Sequence, residues 1–244
     1  MTASGGPGAE HAAPTLDLNA DLGEEVTDDA GLLEVVTSAN LACGYHAGSP
    51  EIMRAVCEGA ARRGVAIGAQ VSYADRAHFG RRRLDVAPAV LAEQVADQVG
   101  VLAEIAAAAG VEVGYLKPHG ALYNRVVDDP DQAAAVLAGS GDLPVLGLSG
   151  GVLLEQAAAA GRATWREGFP DRGYTAEGRL VPRDRPGALV REEAEVARRA
   201  VRLAREVDSV CVHGDSPDAV AHARAVRRAL EAAGWLLAPF SSTG

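Results

Sequence analysis

Of the 23 cationic side chains in this 244-residue chain, one is a lysine, Lys117. It stands in Lys117-Pro118-His119-Gly120, beside an imidazole and at the end of an apolar run. Arginine meets the needs of solubility and surface pairing everywhere else. Lysine differs in being a compact point charge whose proton affinity shifts on burial. The Lys-His pair therefore reads as functional. Other polar residues gather after the β-forming runs: Asp17, Asn19, Asp21 and Glu24; Asn40, Cys43 and His46; Gln70, Ser72, Tyr73 and Asp75. Further on come Lys117, His119 and Asn124; then Glu167, Asp171, Arg172, Tyr174 and Arg183; then His213 and Asp215. Carboxylates, imidazoles and one ammonium at strand ends are the parts of acid–base and anion-stabilising chemistry. Cys43 reads first as a small buried residue and only second as a nucleophile, and Cys211 reads as core.

The elements that must carry these groups alternate. Strands are expected at Thr15–Leu18, Val35–Ala42, Val65–Ala69, Val111–Leu116, Pro144–Leu148, Ala163–Glu167, Ser209–His213 and Trp235–Ala238. Helices are expected at Pro50–Arg63, Val86–Ala109 (one or two), Asp131–Ala138, Gly151–Ala160, Glu192–Arg205 and Pro217–Ala233. Gly64, Gly110, Gly161 and Gly234 supply stops. A polar loop spans Gly168–Gly187. Repeated β-α alternation with short links predicts a parallel sheet sheathed in helices. Seven or so units in one body favour a parallel β/α barrel over an open sheet, with the strand-end polar groups on one rim. Residues 15–244 are expected to form that single domain. The Gly/Ala/Ser/Pro-rich residues 1–14 read as a disordered tail without the basic and apolar regions of a signal peptide. Eight of the ten aromatics fall in or beside the polar segments, as pocket walls or through the aromatic preference of strand ends.

Composition narrows the function. A net charge of −10 offers no basic excess for nucleic acid. The apolar runs are too short to span a bilayer. Three scattered cysteines argue for a reducing, cytoplasmic compartment and against a disulfide framework. There is no Walker Gly-x4-Gly-Lys and no Gly-x-Gly-x-x-Gly opening a helix.

Several segments resemble one family. Asp17-Leu18-Asn19-Ala20-Asp21-Leu22-Gly23-Glu24 is similar to the opening signature of the LamB/YcsF family. So are Ser38-Ala39-Asn40-Leu41-Ala42-Cys43-Gly44-Tyr45-His46-Ala47-Gly48 and Lys117-Pro118-His119-Gly120-Ala121-Leu122-Tyr123-Asn124. Asp171-Arg172-Gly173-Tyr174, Leu180-Val181-Pro182-Arg183 and Cys211-Val212-His213-Gly214-Asp215 follow in the same order. The resemblance implies a barrel like that of glycoside hydrolases and deacetylases. It implies ATP-dependent hydrolysis of 5-oxo-L-proline to L-glutamate with two partner subunits, B and C. ATP would be the cofactor, with Mg2+ on a partner subunit or reaching this chain without a P-loop. Self-association stays open. The alternatives are a metal-dependent deacetylase or amidohydrolase of the same barrel class, and a non-catalytic supporting subunit.

On that implied reaction, Asp21, His46, Lys117 and His119 are the expected catalytic groups. Asp17, Asn19, Asn40, Tyr123, Asn124, Arg172, Arg183, His213 and Asp215 are expected at the substrate. The chain departs from the family pattern at Gln70 (expected His), Tyr115 (expected His) and Ser49 (expected Asp). Related deacetylases hold a metal with one Asp and two His. With Gln70 in place of His, no tight metal is expected.

Overall fold

The computed structural model describes residues 13–26, 28–213 and 218–240. Nearly all of the expected tail, residues 1–12, and Asp215 lie outside the described residues. The first half of the chain forms β1 (Thr15–Leu22), α1 (Asp29–Leu33), β2 (Ser38–Ala42), α2 (Pro50–Arg63), β3 (Ala66–Val71), a 3-10 turn (Arg76–His78), α3 (Pro88–Ala108) and β4 (Val113–Pro118). The second forms α4 (Gly120–Arg125), α5 (Pro130–Gly139), β5 (Val145–Leu148), α6 (Val152–Ala159), β6 (Thr164–Gly168), α7 (Glu193–Leu203), β7 (Ser209–Val212), α8 (Ala219–Ala232) and β8 (Leu236–Leu237).

The strands run β2-β3-β4-β5-β6-β7-β1, and β1 pairs with β2 to close the ring. All pairings are parallel. The expected seven-strand parallel barrel thus forms, and closure removes the free strand edges. β8 lies outside the ring, beside Thr15 and Leu16 of β1. Period-2 alternation sorts the strands' faces. Leu16, Leu18, Ala20 and Leu22 of β1, with Leu41, Ile67, Val71, Leu116, Val145 and Val210, pack against helix residues such as Met53, Leu91, Leu102, Val196 and Leu230. The alternate residues fill the barrel, and many are polar.

The helix stops behave as expected: Gly64 ends α2 in the left-handed conformation at φ 67°. Ser49, where the family resemblance leads one to expect Asp, is the N-cap of α2 and accepts from the Ile52 N–H at 3.4 Å. Serine and aspartate are near-equal caps, so no rim carboxylate is missing there. β1 runs past its expected end to Leu22, which places Asn19 and Asp21 inside a strand instead of after one. The short helices α1 and α4 are additions to the expected set, and α3 is one unbroken helix. The polar loop after β6 folds back on itself through antiparallel bridges Arg172–Leu189 and Tyr174–Leu180.

Tyr115 also departs without stripping the rim. Its ring lies inside the barrel, edge-on to Phe240 at 4.8 Å, and its hydroxyl donates to Asn40 Oδ1 at 2.7 Å. Gly68 on the neighbouring strand makes room for it: a Cβ there would collide with the Tyr115 ring. Gly68→Ala is expected to lower stability by about 1–3 kcal/mol, the usual cost of an overpacked core. Urea unfolding of the two chains measures it, and an unchanged midpoint would show that the barrel interior yields.

Candidate active site

Lys117 reaches inward from β4 and is the hub of the upper barrel. Its Nζ lies 2.9 Å from Asp21 Oδ1 of β1 and 2.8 Å from Glu167 Oε1 of β6. It also donates to Cys211 Sγ at 3.3 Å and stands 5.3 Å from the centre of the Phe169 ring. Burial by itself would lower the proton affinity of the ammonium. Asp21, the Cys211 sulfur and Glu167 outweigh it and hold the lysine well above its ordinary value. Burial likewise pushes Asp21 up, but Lys117, His213 and the Asn40 amide win and hold it below its ordinary value. The pair is therefore ionised at neutral pH, a fixed point charge instead of a base.

Beneath this hub runs a hydrogen-bonded chain. Asn40 Nδ2 donates to Asp21 Oδ1 at 2.9 Å and to Asn19 Oδ1 at 2.7 Å. Asn19 Nδ2 donates to Ser209 Oγ at 2.6 Å, and Ser209 in turn donates to Asp17. Thr37 and Ser38 complete the Asp17 shell at 2.7 and 2.5 Å. Asp17, Asn19 and Asn40, expected at the substrate, thus lie in the barrel interior and do not line the cavity above. They fix Asp21.

To one side, Glu24, His46 and His119 converge from the ends of β1, β2 and β4. Glu24 Oε1 is 3.4 Å from His119 Nε2 and 3.8 Å from His46 Nε2. The two imidazoles stack at 4.0 Å and 16°. Phe79, in the left-handed region at φ 57°, meets both rings edge-on. Gln70 sits between Glu24 and His46: its Nε2 donates to Glu24 at 3.1 Å, and its Oε1 accepts from His46 Nε2 at 3.2 Å. Burial is the main force on the rings. It lowers His46 to about 4, and burial with His46 alongside holds His119 well below the ordinary value. The residues thus offer one carboxylate and two neutral imidazoles, a donor set suited to a divalent metal.

On the other side a cavity of about 550 Å³ opens. Asp21, Lys117, His119, Tyr123, Asn124, Arg172, Arg183 and His213 line it, so eight of the expected residues meet there. His46 stands behind His119. His213 Nδ1 lies 2.8 Å from Asp171 Oδ2, and its ring stacks on Phe169 at 5.0 Å. Burial would raise Asp171, but His213 and its N–H groups hold the carboxyl below its ordinary value. Asp171 fixes the histidine's orientation and tautomer, leaving Nε2 for a ligand.

The Arg172 guanidinium donates to the Ala188 and Val181 carbonyls, pinning the folded-back loop over the cavity. Arg81, Arg83, Arg125 and Arg179 also line the cavity, and sequence reasoning misses them. Their signal in the sequence is only that of surface arginines. Glu24, Glu167 and Asp171 stand out there as strand-end groups without a role. Cys43 is buried, and burial pushes its thiol up, which removes it as a nucleophile. Cys211, expected to be mere core, touches the lysine.

Residues 16–244 match the LamB/YcsF family. A Streptomyces avermitilis protein that bears the name of the A subunit of 5-oxoprolinase is 54% identical over 93% of this chain and 100% of its own length. One of the same name from Mycobacterium avium is 50% identical over 90% of this chain and 96% of its own. Among solved structures, the lactam utilization protein of Thermus thermophilus superposes with a TM-score of 0.85 at 37% identity, covering 93% of this chain and 100% of that one.

The barrel base carries a pH dependence. Burial, against three hydroxyl donors, raises the Asp17 carboxyl from 3.8 to about 6. The folded chain therefore binds this proton more tightly than the unfolded chain. The contribution to stability is full below the unfolded value, and it is lost as pH rises through about 6. The span corresponds to about 3 kcal/mol. Denaturant unfolding between pH 4 and 7 is expected to show this decline in the native chain and a flatter profile in Asp17→Asn. Parallel profiles would show that Asp17 is ionised throughout.

Proposed function

The chain belongs to the LamB/YcsF family, and on that premise we propose that it is the A component of an ATP-hydrolysing 5-oxoprolinase. In this reading it opens 5-oxo-L-proline to L-glutamate, with ATP becoming ADP and phosphate, together with partner subunits B and C. The observation that carries it is the end-to-end likeness to relatives of that name. The cavity's chemistry supports it. Lactam hydrolysis adds water's oxygen to the carbonyl carbon, breaks the C–N bond and returns a proton to nitrogen. Negative charge grows on the carbonyl oxygen, or on a phosphoryl group carried there from ATP. Lys117, fixed as an ammonium by Asp21 and Glu167, faces that charge from the cavity floor. Arg172 and Arg183 face the substrate's carboxylate. His213, held by Asp171, is the proton carrier: it takes a proton from water and returns one to the leaving nitrogen.

The chain has no Walker motif, so in this reading the nucleotide either reaches it without a P-loop or sits with its Mg2+ on a partner subunit. No helix of the described residues is long and apolar enough to cross a membrane. Three free buried cysteines suit the reducing cytoplasm proposed for the complex.

The test is glutamate release by the co-purified subunits, with ADP formed one for one. His213→Asn is expected to lower kcat about 10²–10⁴-fold, the usual share of one acid–base group. Lys117→Ala is expected to lower it about 10²–10³-fold, as loss of an oxyanion donor does. Circular dichroism checks that both variants fold. Full turnover without ATP would replace the reading with an ATP-independent amidohydrolase. Unchanged turnover in both variants would take this cavity out of the reaction.

A further inference from the structure

We infer that Glu24, His46 and His119 form a binding site for one divalent cation of the zinc class. The ligand atoms of the three lie within 4.8 Å of one another. A tetrahedral zinc with bonds of about 2.0–2.1 Å spaces its ligand atoms roughly 3.3–3.4 Å apart. The Glu24–His119 edge is 3.4 Å and the Glu24–His46 edge 3.8 Å, so these two match to within a few tenths of an ångström, and the third, between the two stacked rings, lies within 4.8 Å. Two nitrogens and one carboxylate oxygen suit Zn2+ or Co2+ and suit Mg2+ poorly. Three protein ligands leave a fourth position open, and His119 borders the cavity.

The surroundings fit as well. All three side chains are buried, at 3%, 1% and 8% exposure for Glu24, His46 and His119. They come from three different strand ends, whose closed barrel holds them rigidly. A metal on Nε2 fixes the ring hydrogen on Nδ1, which then wants an acceptor. Ser72 Oγ, buried and without a hydrogen-bond partner among the described residues, borders the same space beside Gly80 as His119 Nδ1.

The expectation of no tight metal rested on Gln70 standing in a ligand's place. In the structure Gln70 is an outer neighbour that steadies Glu24, and the ligands are its neighbours. Binding through His46 Nε2 exchanges the Gln70 Oε1 contact for the cation while the Gln70–Glu24 bond stays. A cation there would supply Lewis acidity at the cavity's inner wall. The site does not depend on which amide the protein opens, and its test reads binding alone.

The full chain, without an affinity tag and stripped by chelator, is titrated with Co2+ and then with Zn2+ against a chromophoric chelator. The expected result is one equivalent of each and the visible absorption of four-coordinate cobalt. Loss of an outer-shell neighbour commonly weakens a metal site about 10–100-fold, so His46→Asn and Glu24→Gln, losing a ligand, are expected to weaken it by at least that. His222→Asn, on α8, is expected to bind as the native chain does. Gln70→His adds a nitrogen beside the cluster and is expected to tighten binding about tenfold or more, which reads the site even if a ligand variant fails to fold. Absence of the cobalt band, or affinities unchanged in His46→Asn, Glu24→Gln and Gln70→His alike, would overturn the site.

Discussion

An ammonium buried between two carboxylates governs this barrel. Lys117, Asp21 and Glu167 sit on three different strands, and each is at most 3% exposed. Removing such charges from water costs several kcal/mol per ion, and the attraction repays it only with good geometry and further hydrogen bonds. Apolar residues of the same volume would hold the barrel at least as well. Stability is therefore a poor reason for the lysine to be there. The consequence runs downward through the interior: Asp21 needs Asn40, Asn40 needs Asn19 and Tyr115, and Asn19 needs Ser209. A parallel barrel is more often filled with branched aliphatic side chains. Here that apolar packing is displaced to the outer faces of the strands, between sheet and helices.

This division explains what could be read from the chain. The outer layer follows period and stop signals, so Gly64 and the amphipathic run over α2 were legible at the correct residues. The inner layer follows distance in space. Nothing in the local pattern around Glu167 says that it meets a lysine far back in the chain, or that Cys211 touches the same ammonium. The three departures from the family pattern show the same limit. Read along the chain, each removes a group from the rim. In space Ser49 caps a helix, Tyr115 fills the barrel below the rim, and Gln70 alone stands beside the site. Strand length mattered too, since β1 continues past its short apolar start and turns Asn19 and Asp21 from loop residues into interior ones.

The rim's histidines fall into two environments, and the difference is electrostatic. His46 and His119 are stacked, buried and forced neutral by desolvation. A pair that close cannot both be imidazolium, and burial favours the neutral form of each ring. His213 stands against the carboxylate of Asp171, which orients the ring, and the residue lines the cavity. The neighbours thus separate the three histidines, a stacked pair beside Glu24 and a single ring held by Asp171, although the sequence presents all three in the same way, just beyond a strand.

The cavity's charge runs against that of the chain. A protein with a net charge of −10 brings Arg81, Arg83, Arg125, Arg172, Arg179 and Arg183 to the cavity that Lys117 floors. Several are anchored: Arg125 pairs with Asp85 and Asp129, Arg179 with Asp128, and Arg172 with backbone carbonyls. Anchoring lowers the entropy lost when an anion binds, and it fixes where the positive field points. Asp21, Asp128 and Asp184 line the same cavity, so the cations there stand among carboxylates. These arginines and His213 line one and the same cavity.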